Sequence, residues 1–238
     1  EELSYLRFAR SASAPLSPEI HRRFEERFNI PIIETMGLTE TGSQITTNPM
    51  PPAIRKIGSP GTAFGNEIMI ADDTLAAVPT GTIGEILVRG ANVMQGYLNQ
   101  PEETAKTISP DGWLRTGDLG YLDQDGYVFV SGRIKELIIK GGENIAPREI
   151  DEALLEHEAV LEAAAFAVPC ENYGERVEAC IRLKEQVHAS ASDLLAHCQT
   201  RLGKFKSPDT IHILEDLPKG PSGKVQRLKL FGLVYPAE

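Results

Sequence analysis

Apolar side chains recur along the first part of the chain at two different spacings. Ile20, Phe24 and Phe28 lie four residues apart, which predicts a helix with one apolar face that packs on a sheet. The apolar runs at residues 6–9 and 30–34 predict buried strands on either side of this helix. Strand, helix and strand in this order are typical of an α/β fold, in which ligands bind at the loops that follow the strands.

The helical spacing disappears between residues 57 and 97. Short alternating segments separated by glycine, proline, asparagine and aspartate replace it, and the clearest of them are residues 67–70 and 84–90. This pattern predicts a small antiparallel sheet or barrel.

A third pattern begins near Lys135. Residues 147–157 have a helical pattern and residues 161–168 a strand pattern, and helices and strands alternate from there to the end of the chain. The last of these segments, residues 225–233, predicts a short basic helix. Such a change of pattern predicts a domain boundary. We therefore expect one domain in residues 1–134 and a second in residues 135–238.

Composition and charge restrict the class of protein. The chain has 238 residues, of which 41% are hydrophobic and 24% charged, and its formal net charge is −10. These proportions are typical of a globular protein, and the negative charge argues against a general surface for nucleic acid or an anionic membrane. No apolar run is long enough to span a bilayer and no secretory signal pattern is present, so we expect a cytoplasmic protein. The three cysteines and five histidines lack the spacing of a disulfide framework or a zinc site.

A loop near the C-terminus presents a single lysine. In Pro218-Lys219-Gly220-Pro221-Ser222-Gly223-Lys224 two glycines free the backbone and two prolines disfavour a helix, so the Lys224 ammonium could swing toward an anion. Taken alone, the same residues are better explained by an ordinary surface turn.

Two carboxylates follow predicted strands. In the loop at residues 35–42, Thr39 could bond a phosphate oxygen and Glu40 could hold Mg²⁺, although a helix cap explains the same pattern. Asp118 could accept two hydrogen bonds from the vicinal hydroxyls of a ribose, although a turn aspartate is the simpler alternative. The small residues at 10–16 allow the backbone to approach a flat ligand closely.

These features occur together, and in this order, in a known superfamily. The chain resembles the C-terminal half of the adenylate-forming enzymes, which comprise acyl-CoA synthetases, carrier-protein adenylation domains and beetle luciferases, and it looks most like an acyl-CoA synthetase. The matching runs are Gly37-Leu38-Thr39-Glu40, Gly84-Glu85-Ile86 with Gly96-Tyr97-Leu98-Asn99, Arg115-Thr116-Gly117-Asp118, Gly132-Arg133-Ile134-Lys135 and Pro221-Ser222-Gly223-Lys224. The resemblance implies an α/β and α+β fold class: the end of a large α/β domain with a β-barrel subdomain, followed by a small α+β domain.

The resemblance also implies roles in a first half-reaction, in which a carboxylic acid and ATP form an acyl-adenylate and pyrophosphate. Glu40 would ligate Mg²⁺, and Lys224 would stabilise the negative charge that builds at phosphorus. Lys135 would be the hinge about which the small domain rotates before the second half-reaction. The implied contacts to ATP and AMP are Ser13, Ala14, Pro15 and Met36 at the adenine, Thr39 at a phosphate, and Asp118 with Arg133 at the ribose.

In the implied second half-reaction the acyl group passes to coenzyme A. Gly141 and Gly142 would face the narrow channel for the pantetheine arm, where absent side chains leave room for the thiol. Tyr173, Phe205 and Lys206 would contact the CoA nucleotide, because an aromatic face and a cation suit adenine and phosphate. Core packing is the alternative for Phe205.

The sequence departs from the superfamily pattern in three ways. Met36 replaces the aromatic residue usual beside adenine, Ser207 replaces a basic residue of some relatives, and the phosphate loop expected upstream is absent. Together with the lack of an initiator methionine, this predicts a fragment that requires the N-terminal portion of the same enzyme and does not adenylate alone.

Several alternatives stay open at this point. The acceptor could be the phosphopantetheine of a carrier protein, or the chain could be an inactive nucleotide-binding or interaction module. The run at residues 48–59 resembles that of ligases of small polar acids such as oxalate, but the sequence does not exclude an aromatic or fatty acid as the substrate.

Overall fold

The computed structural model of the chain describes Leu3, residues 5–221 and residues 223–236. The chain folds into two units, Glu1–Ile134 and Lys135–Glu238. The elements of the first unit are β1 (Ala9–Ser11), α1 (Pro18–Phe28), β2 (Ile32–Leu38), β3 (Ser43–Thr47), β4 (Thr62–Ala63), β5 (Glu67–Ala71), β6 (Gly84–Arg89), α2 (Pro101–Thr107), β7 (Leu114–Leu122) and β8 (Val128–Arg133). Those of the second unit are β9 (Ile138–Lys140), β10 (Glu143–Ile145), α3 (Pro147–Leu155), β11 (Val160–Cys170), β12 (Gly174–Leu183), α4 (Ala191–Lys206), β13 (Thr210–Ile213) and α5 (Leu230–Val234).

The first unit begins with a four-stranded sheet in the order β1-β2-β3-β4. Strands β1 and β2 are parallel and α1 connects them, whereas β2 and β3 are antiparallel. Strand β2 continues to Leu38, past the predicted end at residue 34, because its later residues pair with β3. The loop that follows β2 is therefore shorter than predicted and begins at Thr39.

Helix α1 buries a different face from the one that its apolar spacing predicts. Ile20 and Phe28 are each 45% exposed, whereas His21 is only 1% exposed. The Nδ1 atom of His21 lies 3.2 Å from Oε2 of Glu34, and its Nε2 atom lies 3.1 Å from Oε1 of Glu25. These buried polar contacts decide which face of the helix is buried, and the spacing of apolar residues cannot reveal such contacts.

The second sheet of the first unit is antiparallel, in the order β5-β6-β7-β8. Among the described residues the predicted β-barrel does not close, because the outer strands pair with other segments. Ala71 of β5 bridges Ala77, and Val128 of β8 bridges Gly61. The subdomain is therefore an open sheet.

The second unit has the predicted α+β composition. Its sheet has the order β10-β9-β12-β11, and β13 lies parallel to β12. Helices α3 and α4 bury Ile150, Leu154 and Leu194 in the core. The predicted basic helix over residues 225–233 is instead a short 3₁₀ turn followed by α5. Within the described part of the chain, no helix combines the length and hydropathy that crossing a bilayer requires.

Gly37→Ala is expected to destabilise the first unit. A Cβ atom at Gly37 would lie 2.0 Å from the carbonyl oxygen of Ser43, so β2 and β3 would have to separate. We expect a loss of about 3 kcal/mol, the upper end of the usual cost of overpacking, in the free energy of unfolding measured by denaturant titration. Gly232→Ala is the control, because Gly232 lies in helix α5 without a left-handed φ and no atom lies within 4 Å of the added methyl group. Equal losses in both variants would contradict the prediction.

Candidate functional site

A short 3₁₀ turn, Thr39–Thr41, follows β2 and carries two of the predicted site residues. The buried Thr41 hydroxyl fixes this turn: it accepts a hydrogen bond from the backbone N–H of Leu38 at 3.2 Å and lies 3.0 Å from the carbonyl oxygens of Leu38 and Ser43. Thr39 is exposed at the start of the turn. The Thr39 hydroxyl is therefore held at the surface, at the end of a buried strand.

The carboxylate of Glu40 has a positioning partner from a distant part of the sequence. The Tyr97 hydroxyl donates to Glu40 Oε1 at 2.9 Å, and the Met94 N–H donates to the Glu40 carbonyl at 2.7 Å. The accepting carboxylate raises the pKa of Tyr97 above its ordinary value, so the phenol keeps its proton and remains the donor. Glu40 is thus held in one orientation by its side chain and its backbone.

Asp118 and Arg133 are brought together by the register of β7 and β8, in which they are direct cross-strand partners. Arg133 Nε donates to Asp118 Oδ1 at 2.7 Å, and Asp118 is 7% exposed while Arg133 is exposed. The backbone N–H of Asp118 donates to the Thr116 hydroxyl at 3.0 Å. The predicted ribose pair is therefore a formed ion pair at the end of a hairpin.

The predicted adenine residues lie on two segments of the first unit. Ser13, Ala14 and Pro15 form an exposed loop after β1, and Ser13 adopts a left-handed φ of 74°. Met36 is half-buried and packs against the cluster of Ile70, Ile86 and Val128. Met36 therefore contributes to the core of this unit.

Residues that were predicted to bind coenzyme A lie close together in the second unit. The Gly141 N–H donates to the Tyr173 carbonyl at 2.8 Å, and a Cβ atom at Gly141 would lie 3.3 Å from the Tyr173 ring. Gly142 has a left-handed φ of 85°, and no atom lies within 4 Å of the position that a Cβ atom would take there, so the space beside it is open. Tyr173 and Phe205 are both about half exposed.

Lys140 connects this group, although the sequence patterns did not single it out. It is 5% exposed, and its Nζ atom lies 6.0 Å from the Tyr173 ring centroid, 5.4 Å from the Phe205 centroid and 3.5 Å from Asp209 Oδ2. Lys206, which was predicted to contact CoA, has its Nζ atom 2.9 Å from both carboxylate oxygens of Glu149. Lys140 therefore places its ammonium near both rings.

The loop that carries Lys224 is closed by backbone hydrogen bonds. The Gly220 N–H donates to the Lys224 carbonyl at 2.8 Å, the Gly223 N–H donates to the Gly220 carbonyl at 2.9 Å, and Lys219 bridges Val225. Lys224 is exposed, whereas Ser222 of the same motif lies outside the described residues. Lys135, the predicted hinge, is exposed in a 3₁₀ turn.

No group of three or more histidine, cysteine, aspartate or glutamate side chains that could hold a metal ion occurs among the described residues. A metal at Glu40 would thus take at most two ligands from such side chains of the described residues. Mg²⁺ is commonly bound in this way, by one or two carboxylates together with substrate phosphates and water. The donor set at Glu40 fits Mg²⁺ on these terms.

Comparison with known proteins identifies the same superfamily in both units. Residues 1–98 match the family described as AMP-binding enzyme, and residues 149–224 match the family described as AMP-binding enzyme C-terminal domain. The chain is 53% identical to the sulfoacetate–CoA ligase of Cupriavidus necator, with 94% of the chain and 44% of the relative covered. It is 39% identical to the oxalate–CoA ligase of Saccharomyces cerevisiae, with 94% of the chain and 41% of the relative covered.

A solved structure extends the similarity to three dimensions. The crystal structure of ATP-bound MatB from Rhodopseudomonas palustris matches with a TM-score of 0.92 and 34% identity. The match covers 98% of this chain and 47% of the MatB chain. The chain spans less than half of the length of each of these relatives. The chain belongs to the adenylate-forming superfamily of AMP-binding enzymes, within which it is similar to acyl-CoA synthetases.

Proposed function

We propose that the complete protein containing this chain is an ATP-dependent carboxylate–CoA ligase. A carboxylic acid and ATP form an acyl-adenylate and pyrophosphate, and the acyl-adenylate and CoA then form an acyl-CoA thioester and AMP. The observation that best supports the proposal is the Glu40 carboxylate, which the Tyr97 hydroxyl orients and which follows the exposed Thr39 in the same turn. The CoA ligases among the similar proteins support the same chemistry.

In the first half-reaction the residues of this chain bind ATP and stabilise charge. Thr39 donates to a phosphate oxygen, and Glu40 holds Mg²⁺, which when bound neutralises phosphate charge and polarises the phosphoryl group. Lys224 stabilises the negative charge that develops as a carboxylate oxygen attacks the α-phosphorus and pyrophosphate leaves.

We propose that three further groups of residues position the nucleoside. Asp118, fixed by Arg133, accepts hydrogen bonds from the ribose hydroxyls, because a carboxylate can accept two at once. The loop at residues 13–15 borders the adenine. Met36 offers a thioether contact where an aromatic ring is usual in the superfamily.

Tyr97→Phe is expected to raise the Mg²⁺ concentration that the first half-reaction requires. The variant removes the hydroxyl that orients Glu40 and keeps the ring. Loss of such an outer partner of a metal ligand usually costs tenfold or more, so we expect half-maximal pyrophosphate exchange to require about tenfold more Mg²⁺. Tyr121→Phe is the matched control, because the Tyr121 ring stacks on Phe129 and is not part of the proposed site. An unchanged Mg²⁺ requirement in Tyr97→Phe would refute the role given to Tyr97.

In the second half-reaction the thiol of CoA attacks the acyl carbonyl and AMP leaves. We propose that Gly142, with open space beside it, and Gly141 leave room for the pantetheine arm. Tyr173 and Phe205 offer ring faces to the adenine of CoA. Lys206 reaches a CoA phosphate only by leaving Glu149. We further propose that the domain rotation between the two half-reactions takes place at Lys135.

The acid is proposed to be small and polar. Relatives named for sulfoacetate and oxalate support this class. Arg10 is a further support: its Nη2 atom donates to Gln44 Oε1 at 2.6 Å and its Nε atom to the Thr35 hydroxyl at 3.3 Å. Both acceptors are neutral, so these contacts do not cancel the guanidinium charge, which would attract a second anionic group on the acid.

The proposal is tested by offering the complete protein ATP, Mg²⁺ and CoA with a panel of carboxylic acids. We expect acid-dependent release of AMP and formation of a thioester, with sulfonated and dicarboxylic short acids ahead of aromatic and fatty acids. Replacement of CoA by a phosphopantetheine carrier protein distinguishes the alternative acceptor. Absence of thioester with every acid and both acceptors would contradict the proposal and favour an interaction module. The expected cytoplasmic location stays a prediction.

A further inference from the structure

Arg227 lies three positions after Lys224, and its side chain is half-buried in the second unit. Its Nη2 atom donates to Asp151 Oδ2 at 2.6 Å and its Nη1 atom to Asp151 Oδ1 at 3.3 Å. Its Nε atom donates to Glu136 Oε2 at 3.1 Å, and Nη1 also donates to the carbonyl of Ala165. One guanidinium therefore connects helix α3, strand β11 and the segment directly after Lys135.

The Asp151 carboxylate, which accepts two of these hydrogen bonds, is itself held in place. The backbone N–H of Ala165 donates to Asp151 Oδ1 at 2.6 Å, so the carboxylate is oriented by β11. Burial disfavours the charged form of Arg227, but Asp151 and Glu136 outweigh this effect and raise its pKa above the ordinary value. The guanidinium is therefore charged at neutral pH. A planar fork matched to a carboxylate fixes direction as well as distance.

The segment between Lys224 and Arg227 is short and anchored. Val225 packs against the cluster that contains Leu217 and Leu230, and the Gln226 N–H donates to the Pro218 carbonyl at 2.7 Å. The lysine loop is therefore closed at its base, and Arg227 ties that base to the start of the unit. A shift of Arg227 would move the base of the loop and the lysine with it.

We propose that Arg227 is a positioning residue for Lys224. Through Asp151, Ala165 and Glu136 it fixes the lysine loop relative to the segment that follows Lys135, so that the lysine moves with that segment as one body. This inference rests on the proposed function, in which only the first half-reaction uses Lys224. Arg227 should therefore matter for adenylation and not for thioester formation.

The test compares the two half-reactions in the complete protein with Arg227→Lys and Arg227→Ala. Lysine keeps the charge next to Asp151 but loses the fork, so we expect pyrophosphate exchange to fall about tenfold in Arg227→Lys. In Arg227→Ala we expect about a hundredfold loss, as for a misplaced catalytic group. The rate at which a supplied acyl-adenylate and CoA form the thioester should change by less than about twofold in Arg227→Lys, because that step does not use Lys224.

Arg201→Lys is the matched control, because Arg201 forms an exposed ion pair with Glu156 in the same unit. It should change neither half-reaction. If Arg227→Ala does not fold, the ratio of the two rates in Arg227→Lys decides. An equal loss of both half-reactions, or no loss of exchange, overturns the role of Arg227 while the proposed function stands. A wild-type protein that performs neither half-reaction overturns both.

Discussion

Lys224→Ala in the complete protein is expected to lower acid-dependent pyrophosphate exchange by about a hundredfold to a thousandfold, the usual cost of removing one donor that stabilises transition-state charge. Lys224 is exposed at the end of a closed loop, so truncation of its side chain creates no cavity in the fold. In the proposed mechanism its ammonium acts only while charge develops at the α-phosphorus. Thioester formation from a supplied acyl-adenylate should therefore change little.

Lys229→Ala is the matched control for this variant. Lys229 is an exposed lysine on the same C-terminal segment, five positions along the chain, and its removal subtracts the same charge. We expect it to leave both half-reactions near the wild-type rates. Equal losses of pyrophosphate exchange in the two variants would mean that Lys224 contributes only to the general surface charge. Unchanged exchange in Lys224→Ala would contradict its proposed role.

Gly142→Leu should have the opposite selectivity and block the second half-reaction. Gly142 has a φ of 85° and open space beside it, so a leucine side chain would extend into the proposed channel of the pantetheine arm. We expect thioester formation from acyl-adenylate and CoA to fall about a hundredfold, because the thiol can no longer reach the carbonyl in the reactive geometry. Pyrophosphate exchange should stay within about threefold of wild type, since it does not use the channel.

A leucine at this position also strains the backbone, so the control must carry the same strain. Gly126 lies in a hairpin turn with a φ of 79° and no atom within 4 Å of an added Cβ. Gly126→Leu should lose about 1–2 kcal/mol of stability for the left-handed backbone, as Gly142→Leu should, without a change in the ratio of the half-reactions. If Gly142→Leu lowers both half-reactions alike, its effect is one of stability and the channel is not there.

The sequence predicted those features that depend on local spacing or on recurrent runs. Asp118 and Arg133 could be paired in advance because they lie in two signature runs on either side of a hairpin turn, and the antiparallel register then places them opposite each other. The order of helices and strands followed from the changes of period, whereas the α/β and α+β fold class was implied by the resemblance to the superfamily. Strand β2 was extended beyond its apolar run by pairing with β3, which no local pattern contains.

Contacts between distant segments could not be predicted. Tyr97 was quoted within a signature run, but its bond to Glu40 depends on how two segments of the first unit pack. Lys140 was passed over because a lysine after an apolar run is usually exposed, whereas here it is buried near two aromatic rings. Arg227 was assigned only to a basic helix, and its three acceptors come from segments remote in sequence.

The central proposal is that the complete protein activates a carboxylate by transferring it to AMP. The most direct measurement supplies a carboxylic acid labelled with a heavy oxygen isotope in its carboxylate, together with ATP, Mg²⁺ and CoA, and follows the label by mass spectrometry. Because a carboxylate oxygen bonds to the α-phosphorus and leaves with AMP, we predict one labelled oxygen in AMP and none in pyrophosphate. Label in inorganic phosphate, with ADP as the nucleotide product, would contradict the acyl-adenylate mechanism.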